Sequence, residues 1–197
     1  MTPVGQNGRM FDVLVGEVGS LTDAALVERF RGLERSVRRQ EAELVVVVAE
    51  LEGRSIHTAD GHVSMRGWLK ATVRWSNQEC QRRLQTARLV AADRLVGAGL
   101  HAGEVGVAQV QELGRAYANP RCGDQLVGET SRVLLDHAGT MSFEDFRLCV
   151  RRWELLADVD GAHRDAEAAV ERRTATVVDF DGVVHLAGRG GGCMRRR

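Results

Sequence analysis

Residues 64–92, SMRGWLKATVRWSNQECQRRLQTARLVAA, predict two capped helices joined by a short turn. Ser64 and Ser76 each stand directly before an apolar helical pattern, where a hydroxyl can accept a hydrogen bond from a free backbone amide. Glu79 follows Ser76 by three residues, which is the spacing of a capping box. Two short helices around such a turn are typical of a helix-turn-helix segment.

The solvent face of the second predicted helix carries glutamine and arginine. At 100° per residue, these side chains lie across from the apolar stripe that begins with Cys80 and Leu84, or on its flank. Glutamine can pair bidentately with adenine and arginine with guanine, and a recognition helix presents such residues from its N-terminal half. The candidates for contacts to base edges are Gln78, Gln81, Arg82 and Gln85.

The same stretch is locally basic, although the net charge of the whole chain is zero. Between residues 64 and 95, seven bases stand against two acids, Glu79 and Asp93. Phosphate backbones attract such a patch. Any solvated helix face in an arginine-rich protein shows similar residues, so a purely structural role stays open. The candidates for contacts to phosphates are Arg66, Lys70, Arg74, Arg83 and Arg88.

Length and composition bound the class of protein. The 197 residues, 44% of them hydrophobic, are enough for one good core. Four cysteines without C-x-x-C spacing predict reduced thiols and a cytoplasmic location, with no zinc site or other metal. The first residues lack the pattern of an export signal, and the longest apolar stretch, from Leu44 to Ala49, is too short to span a membrane. No cofactor is expected.

The predicted fold is mainly α: a multi-helix bundle with a long N-terminal helix, the helix-turn-helix-like segment and a short C-terminal β-hairpin. The domain boundaries are a loose N-terminus at 1–19, a helical domain at 20–188 that ends in the hairpin, and a flexible glycine and arginine tail at 189–197. Asp181 and Gly182 supply the hairpin turn. Residues 53–63 are predicted as a connector. Helices are predicted at about 22–51, 77–99, 105–118, 123–138, 143–157 and 162–172.

The long N-terminal helix carries a heptad stripe in which seven of eight positions are apolar. We favour packing of this stripe on later helices of the same chain, with an intermolecular coiled coil as the alternative. The polar residue Gln40 is of the kind that sets register in a dimer. The eight positions of this candidate dimer seam are Leu26, Phe30, Leu33, Val37, Gln40, Leu44, Val47 and Leu51.

Three segments in succession resemble the 13E12 repeat family, also called domain of unknown function 222. They are GWLKATVRWSNQECQRRLQTARLVA at 67–91, GLHAGEVGVAQVQELGRAYANP at 99–120 and ADVDGAHRDAEAAVERRTATVV at 157–178. The resemblance covers roughly residues 20–188. It implies a mainly helical region that, in longer members, precedes an HNH endonuclease module and is often encoded by mobile or repetitive elements.

An HNH site needs a histidine base and a divalent metal, and the family places that module downstream of this region. His185 is the last histidine of the chain. We therefore expect no nuclease activity and assign no catalytic residue, and the GRGGGCMRRR tail is interpreted as a truncation or a shifted reading frame. Three functions remain: a module that associates with double-stranded DNA, a helical interaction or homodimerisation scaffold, and a relic of a mobile element without activity.

Overall fold

The computed structural model describes residues 4–158, 161, 174–180 and 183–189, and the side chains of 11–158 and 161. The described part is mainly helical, as predicted. The helices are α1 (Val4–Gly19), α2 (Asp23–Gly53), α3 (Ile56–Ala59), α4 (Met65–Val73), α5 (Asn77–Ala92), α6 (Arg94–Ala102), α7 (Val107–Tyr117), a 3-10 helix (Gly123–Leu126), α8 (Glu129–Ala138) and α9 (Phe143–Ala157). The strands are β1 (Thr174–Phe180) and β2 (Val183–Arg189).

The strands β1 and β2 pair antiparallel, with Thr174 opposite Arg189 and Phe180 opposite Val183. The turn predicted at Asp181 and Gly182 lies outside the described residues. The predicted hairpin as a complete unit therefore stays a prediction. The predicted helix at 162–172 and the tail at 190–197 also lie outside the described residues.

Hydroxyl caps begin four of the helices where the sequence places them. The side chains of Thr22, Ser64, Ser76 and Ser142 each accept a hydrogen bond from the backbone amide three residues later. This satisfies one of the donors that a helix start leaves free. In a complete capping box, the carboxylate of Glu79 would also accept a hydrogen bond from the backbone amide of Ser76. Here it accepts one from Arg83, on the next turn of its own helix.

The core is centred on α5, which packs against both α2 and α7. Gly114 of α7 lies so close to α5 that a Cβ atom there would come within 2.9 Å of the Thr86 backbone. This close approach requires glycine at position 114. The largest fully buried side chains are Phe146, Leu69, Leu89, Leu100, Leu113 and Leu126.

The predicted helix at 77–99 is two helices that meet at Asp93. This residue has extended backbone angles and caps α6, because its carboxylate accepts a hydrogen bond from the amide of Leu95. The other carboxylate oxygen accepts hydrogen bonds from the amide of Gly128 and the hydroxyl of Ser131. Asp93 therefore ends α5, caps α6 and joins α6 to the start of α8, although the apolar pattern of the sequence continues across it.

Three other segments differ from their predictions. The start at 1–19 is expected to be loose, yet Val4–Gly19 forms α1. The connector at 53–63 contains the short helix α3. The predicted helix at 123–138 divides into the 3-10 helix and α8, separated at Gly128, which has a positive φ of 86°. No helix in the described part of the chain is long and apolar enough to cross a membrane.

The long helix α2 buries a different face from the one that the heptad stripe occupies. Ala42, Val45 and Val48 are its buried residues. Of the stripe, Leu44 and Leu51 pack partly against the core. The remaining positions are exposed, which differs from the interpretation that the stripe packs on later helices of the same chain. The exposed positions are Leu26, Phe30, Leu33, Val37, Gln40 and Val47.

Candidate nucleic-acid interface

The turn between α4 and α5 has the length of a helix-turn-helix connection. Three residues, Arg74 to Ser76, separate the two helices. Arg74 ends α4 in the left-handed region, with a φ of 58°. This conformation costs a residue with a Cβ atom about 1 kcal/mol relative to glycine. A strained non-glycine residue at such a turn is a reason to look for a role of its side chain.

Three cations follow one another at four-residue spacing along α4 and its C-cap. We call Arg66, Lys70 and Arg74 the basic column. All three side chains are exposed, and none has a hydrogen bond or ion pair within the described residues. Arg66 and Lys70 lie on successive turns of one helix face. The positive charges of the basic column are therefore accessible to a binding partner.

The arginines of α5 are used inside the protein. Arg83 donates to both carboxylate oxygens of Glu41, at 2.6 and 3.0 Å, and to Glu79 at 2.6 Å. Its guanidinium also lies 4.6 Å from the centre of the Trp75 ring, and only 14% of its side chain is exposed. Thus Arg83, a predicted phosphate contact, is instead a link between α5 and α2.

Arg88 and Arg82 are partly neutralised in the same way. Arg88 donates to both carboxylate oxygens of Glu52, at 3.0 and 2.6 Å. These hydrogen bonds raise the pKa of Arg88 above its ordinary value. Arg82 lies 3.3 Å from the carboxylate of Glu79. Of the predicted phosphate contacts, only the basic column keeps its full charge available.

The predicted base-reading residues form a narrow polar strip. We call Gln78, Gln81 and Gln85 the glutamine strip; the first two are exposed and Gln85 is half-buried. Gln81 and Gln85 line a cavity of about 580 Å³ together with Arg66, and a second cavity of about 500 Å³ together with Gln78 and Arg82. The two cavities share residues, so the strip is the floor of a groove, and Arg66 joins it to the basic column.

The far wall of the second cavity comes from α7, which the sequence did not indicate. Gln111 and Arg115 line it opposite the glutamine strip. Arg115 is itself held by Glu112 and Glu154, at 3.0 and 2.9 Å. Only the packing of α7 on α5 brings these residues to the site, and no local motif marks them.

In the described part of the chain, a metal site would need a cluster of metal-ligating side chains, and a thiol nucleophile site would need a reactive free thiol. No group of three or more histidine, cysteine, aspartate or glutamate side chains is placed there to hold a metal ion. The thiols of Cys80 and Cys122 are buried, and desolvation raises the pKa of both. Buried thiols of this kind are unreactive.

Comparison with known proteins gives one family. Residues 25–191 match the family model described as "Domain of unknown function (DUF222)". No curated protein and no solved structure matches the chain.

Proposed function

The chain belongs to the DUF222 family, a domain of unknown function, and we propose that its helical domain associates with double-stranded DNA through the basic column. The observation that carries this proposal is the exposure of Arg66, Lys70 and Arg74, which have no hydrogen-bond or ion-pair partner in the described part of the chain. Exposed cations bind phosphates and release the counterions that DNA holds. Phosphate contacts position a protein on the duplex.

The length of the basic column suits one DNA strand. Eight residues separate Arg66 from Arg74, which corresponds to roughly 12 Å along an α-helix. One strand of a duplex carries a phosphate about every 3.4 Å along the axis. A stretch of this length passes about three to four phosphates of one strand, so each of the three cations can contact a different phosphate. The paired arginines of α5 are excluded from this contact, because Glu41 and Glu52 already satisfy Arg83 and Arg88.

The glutamine strip supplies the second part of the proposal. Glutamine offers a donor and an acceptor to the edge of adenine. Gln78 and Gln81 are exposed, and Gln81 lines one cavity with the basic column's Arg66, whereas Gln85 is half-buried. We therefore assign base contacts first to Gln78 and Gln81. Arg82 contributes at the rim, where it shares its charge with Glu79.

The likeness to the 13E12 repeat family belongs to the same proposal. In its longer members, a region of this kind precedes an HNH endonuclease module. A helical domain that holds the duplex would bring DNA to such a module, and this is an argument by association. We propose a binding role for this chain and assign it no catalytic residue and no cofactor.

The test is the salt dependence of binding to a labelled random-sequence duplex, measured by fluorescence anisotropy on protein whose helical fold is confirmed by circular dichroism. Three phosphate contacts predict that log K falls against log salt with a slope of about −3. Lys70→Gln should make that slope shallower by about 1. Arg88→Gln is the matched control, because Arg88 is already bonded to Glu52, and its slope should stay that of the native chain.

Two outcomes would overturn the proposal. One is the absence of binding by the folded protein at low salt. The other is a reversed pattern, in which Arg88→Gln makes the slope shallower and Lys70→Gln leaves it unchanged. The second result would place the phosphate contacts on α5 and not on the basic column.

A further inference from the structure

We propose that two copies of this chain associate in parallel through the heptad stripe of α2. In the described residues, the N-terminal part of the stripe, from Leu26 to Val37, is an apolar surface without a cover. Leu26, Phe30, Leu33 and Val37 are 42%, 68%, 57% and 52% exposed. Four large apolar side chains in succession at heptad spacing are the pattern of a two-stranded coiled coil.

The core of the chain does not use this part of the stripe, although Leu44 and Leu51 farther along α2 pack partly against the core. Helix α2 contacts α5 and α6 through the face of Ala42, Val45 and Val48. Phe30 and Leu33 lie in the N-terminal half of α2, before that buried face begins. Exposed apolar surface that is continuous and aligned marks an interaction site, whereas isolated exposed apolar residues do not.

Charges beside the stripe favour a second copy in parallel. Arg29 precedes the stripe residue Phe30 and Glu34 follows Leu33, so the two residues occupy opposite flanks of the stripe. In a parallel pair, a residue on the first flank faces the residue five positions later on the other helix. Arg29 would therefore meet Glu34 of the second copy. Within the described residues Arg29 has no ion pair, whereas Arg31 and Arg35 both pair with Glu28. Glu34 accepts a hydrogen bond from Arg38 of its own helix at 2.7 Å through one carboxylate oxygen, so its other oxygen would accept from Arg29 of the second copy.

Gln40 fits the same register. It is the polar position of the stripe and is exposed. A parallel pair in register places it opposite its own copy, where each amide can both donate and accept a hydrogen bond. A polar residue at one such layer specifies register at some expense of stability.

Large apolar side chains are also exposed outside the uncovered part of the stripe. Toward the N-terminus, α1 exposes Phe11, Leu14 and Val15 at helical spacing. Toward the C-terminus, Val46 and Val47 line a groove of about 450 Å³ between α2 and α6.

Exposed apolar side chains are numerous on both α1 and α2. Eleven large apolar side chains of these two helices are at least two-fifths exposed. An isolated helix as short as α1 is marginal in water, so cover by a second copy would also stabilise it.

The experiment is size-exclusion chromatography with light scattering on the full chain without DNA. We expect twice the chain mass of 21.6 kDa. Leu33→Asp should return the mass to that of one chain. Leu148→Asp is the matched control, because Leu148 is similarly exposed, at 63%, but lies on α9. The Leu148→Asp variant should still have the mass of two chains.

Charge exchange tests the parallel arrangement. Arg29→Glu should raise the Kd of the pair several-fold, because it brings two carboxylates together. The double variant with Glu34→Gln should restore most of the affinity, because it removes one of these carboxylates while the amide oxygen can still accept from Arg38. Arg31→Glu, away from the stripe, should have little effect. Failure of the double variant to restore association would overturn the parallel register.

A single-chain mass at concentrations up to about 100 µM, where a micromolar pair would be associated, overturns the proposal. Suppose the protein has the mass of one chain and Leu33→Asp lowers its Tm more than Leu148→Asp does. The stripe would then be covered by α1 of the same chain. Because no DNA is present, neither result bears on the proposed DNA contact.

Discussion

Helices α4 and α5 have similar basic compositions but use their cations in opposite ways. The basic column of α4 is exposed and has no partner within the described residues. On α5, Arg83 and Arg88 are each held by a glutamate of α2. The carboxylates that neutralise them come from 42 and 36 residues away. A charge count over a stretch of sequence therefore overstates the charge that a partner can contact, because it omits these distant acids.

The largest expected effect is the loss of the structural arginine. Arg83→Met removes charge-assisted hydrogen bonds to Glu41 and Glu79, which leaves Glu41 without a cation among the described residues and Glu79 with Arg82 alone. Because this cluster is mostly buried, we expect the free energy of unfolding to fall by about 3 kcal/mol. Urea denaturation followed by circular dichroism measures it.

Arg94→Met is the control for that substitution. Arg94 is exposed and has no ion pair within the described part of the chain. Its replacement should change the stability by no more than about 0.5 kcal/mol. If the two variants are equally stable, Arg83 is not a structural link, and the contrast between α4 and α5 is wrong.

Asp93, at the end of α5, is a further charged residue that is bonded inside the protein. Its carboxylate is buried, which by itself would raise its pKa, but hydrogen bonds from Ser131, Gly128 and Leu95 together outweigh burial and lower the pKa. Asp93→Asn weakens these charge-assisted bonds, so we expect a loss of about 2 kcal/mol at neutral pH.

The pH dependence of that loss has a definite sign. A carboxyl group whose folded pKa is depressed stabilises the fold above its unfolded pKa, and this contribution disappears as the pH falls through the folded value. The difference in Tm between the native chain and Asp93→Asn should therefore narrow below about pH 4. Asp136→Asn, at an exposed position, is the control. A difference that stays constant with pH would show that the ionised carboxylate is not what stabilises this junction.

The caps and most helices could be predicted because their causes are local. Ser64, Ser76 and Ser142 each act on an amide three residues away, so the sequence alone indicates the helix starts. The break at Asp93 could not be predicted in this way. The partner that holds its second carboxylate oxygen, Ser131, is 38 residues away, and the apolar pattern continues across the break.

Prediction of the candidate site from the sequence has the same limit. The exposed positions of the glutamine strip followed from helical periodicity, whereas Gln111 and Arg115 reach the groove only through the packing of α7 on α5. The heptad stripe of α2 illustrates a further limit. Periodicity predicts that Phe30 and Leu33 lie on one apolar face, but it does not tell whether the same chain or another one covers that face.

The smallest expected effect on stability concerns Arg74, whose charge and whose left-handed backbone conformation can be tested separately. Arg74→Gly removes a cation from the basic column and also relieves a left-handed conformation that glycine adopts freely. We expect the stability to stay the same or to rise by up to about 1 kcal/mol, since the greater freedom of glycine in the unfolded chain offsets part of the relief. The slope of DNA binding against salt should become shallower by about 1.

Lys70→Gly provides the matched control, because it removes the same charge from a helix interior. It should change the salt slope equally but lower the stability by about 1 kcal/mol, the usual loss for glycine within a helix. If Arg74→Gly also destabilises the protein, the Arg74 side chain supports the turn. The basic column would then consist of Arg66 and Lys70 alone, and α4 would resemble α5 more closely than the exposure of its side chains indicates.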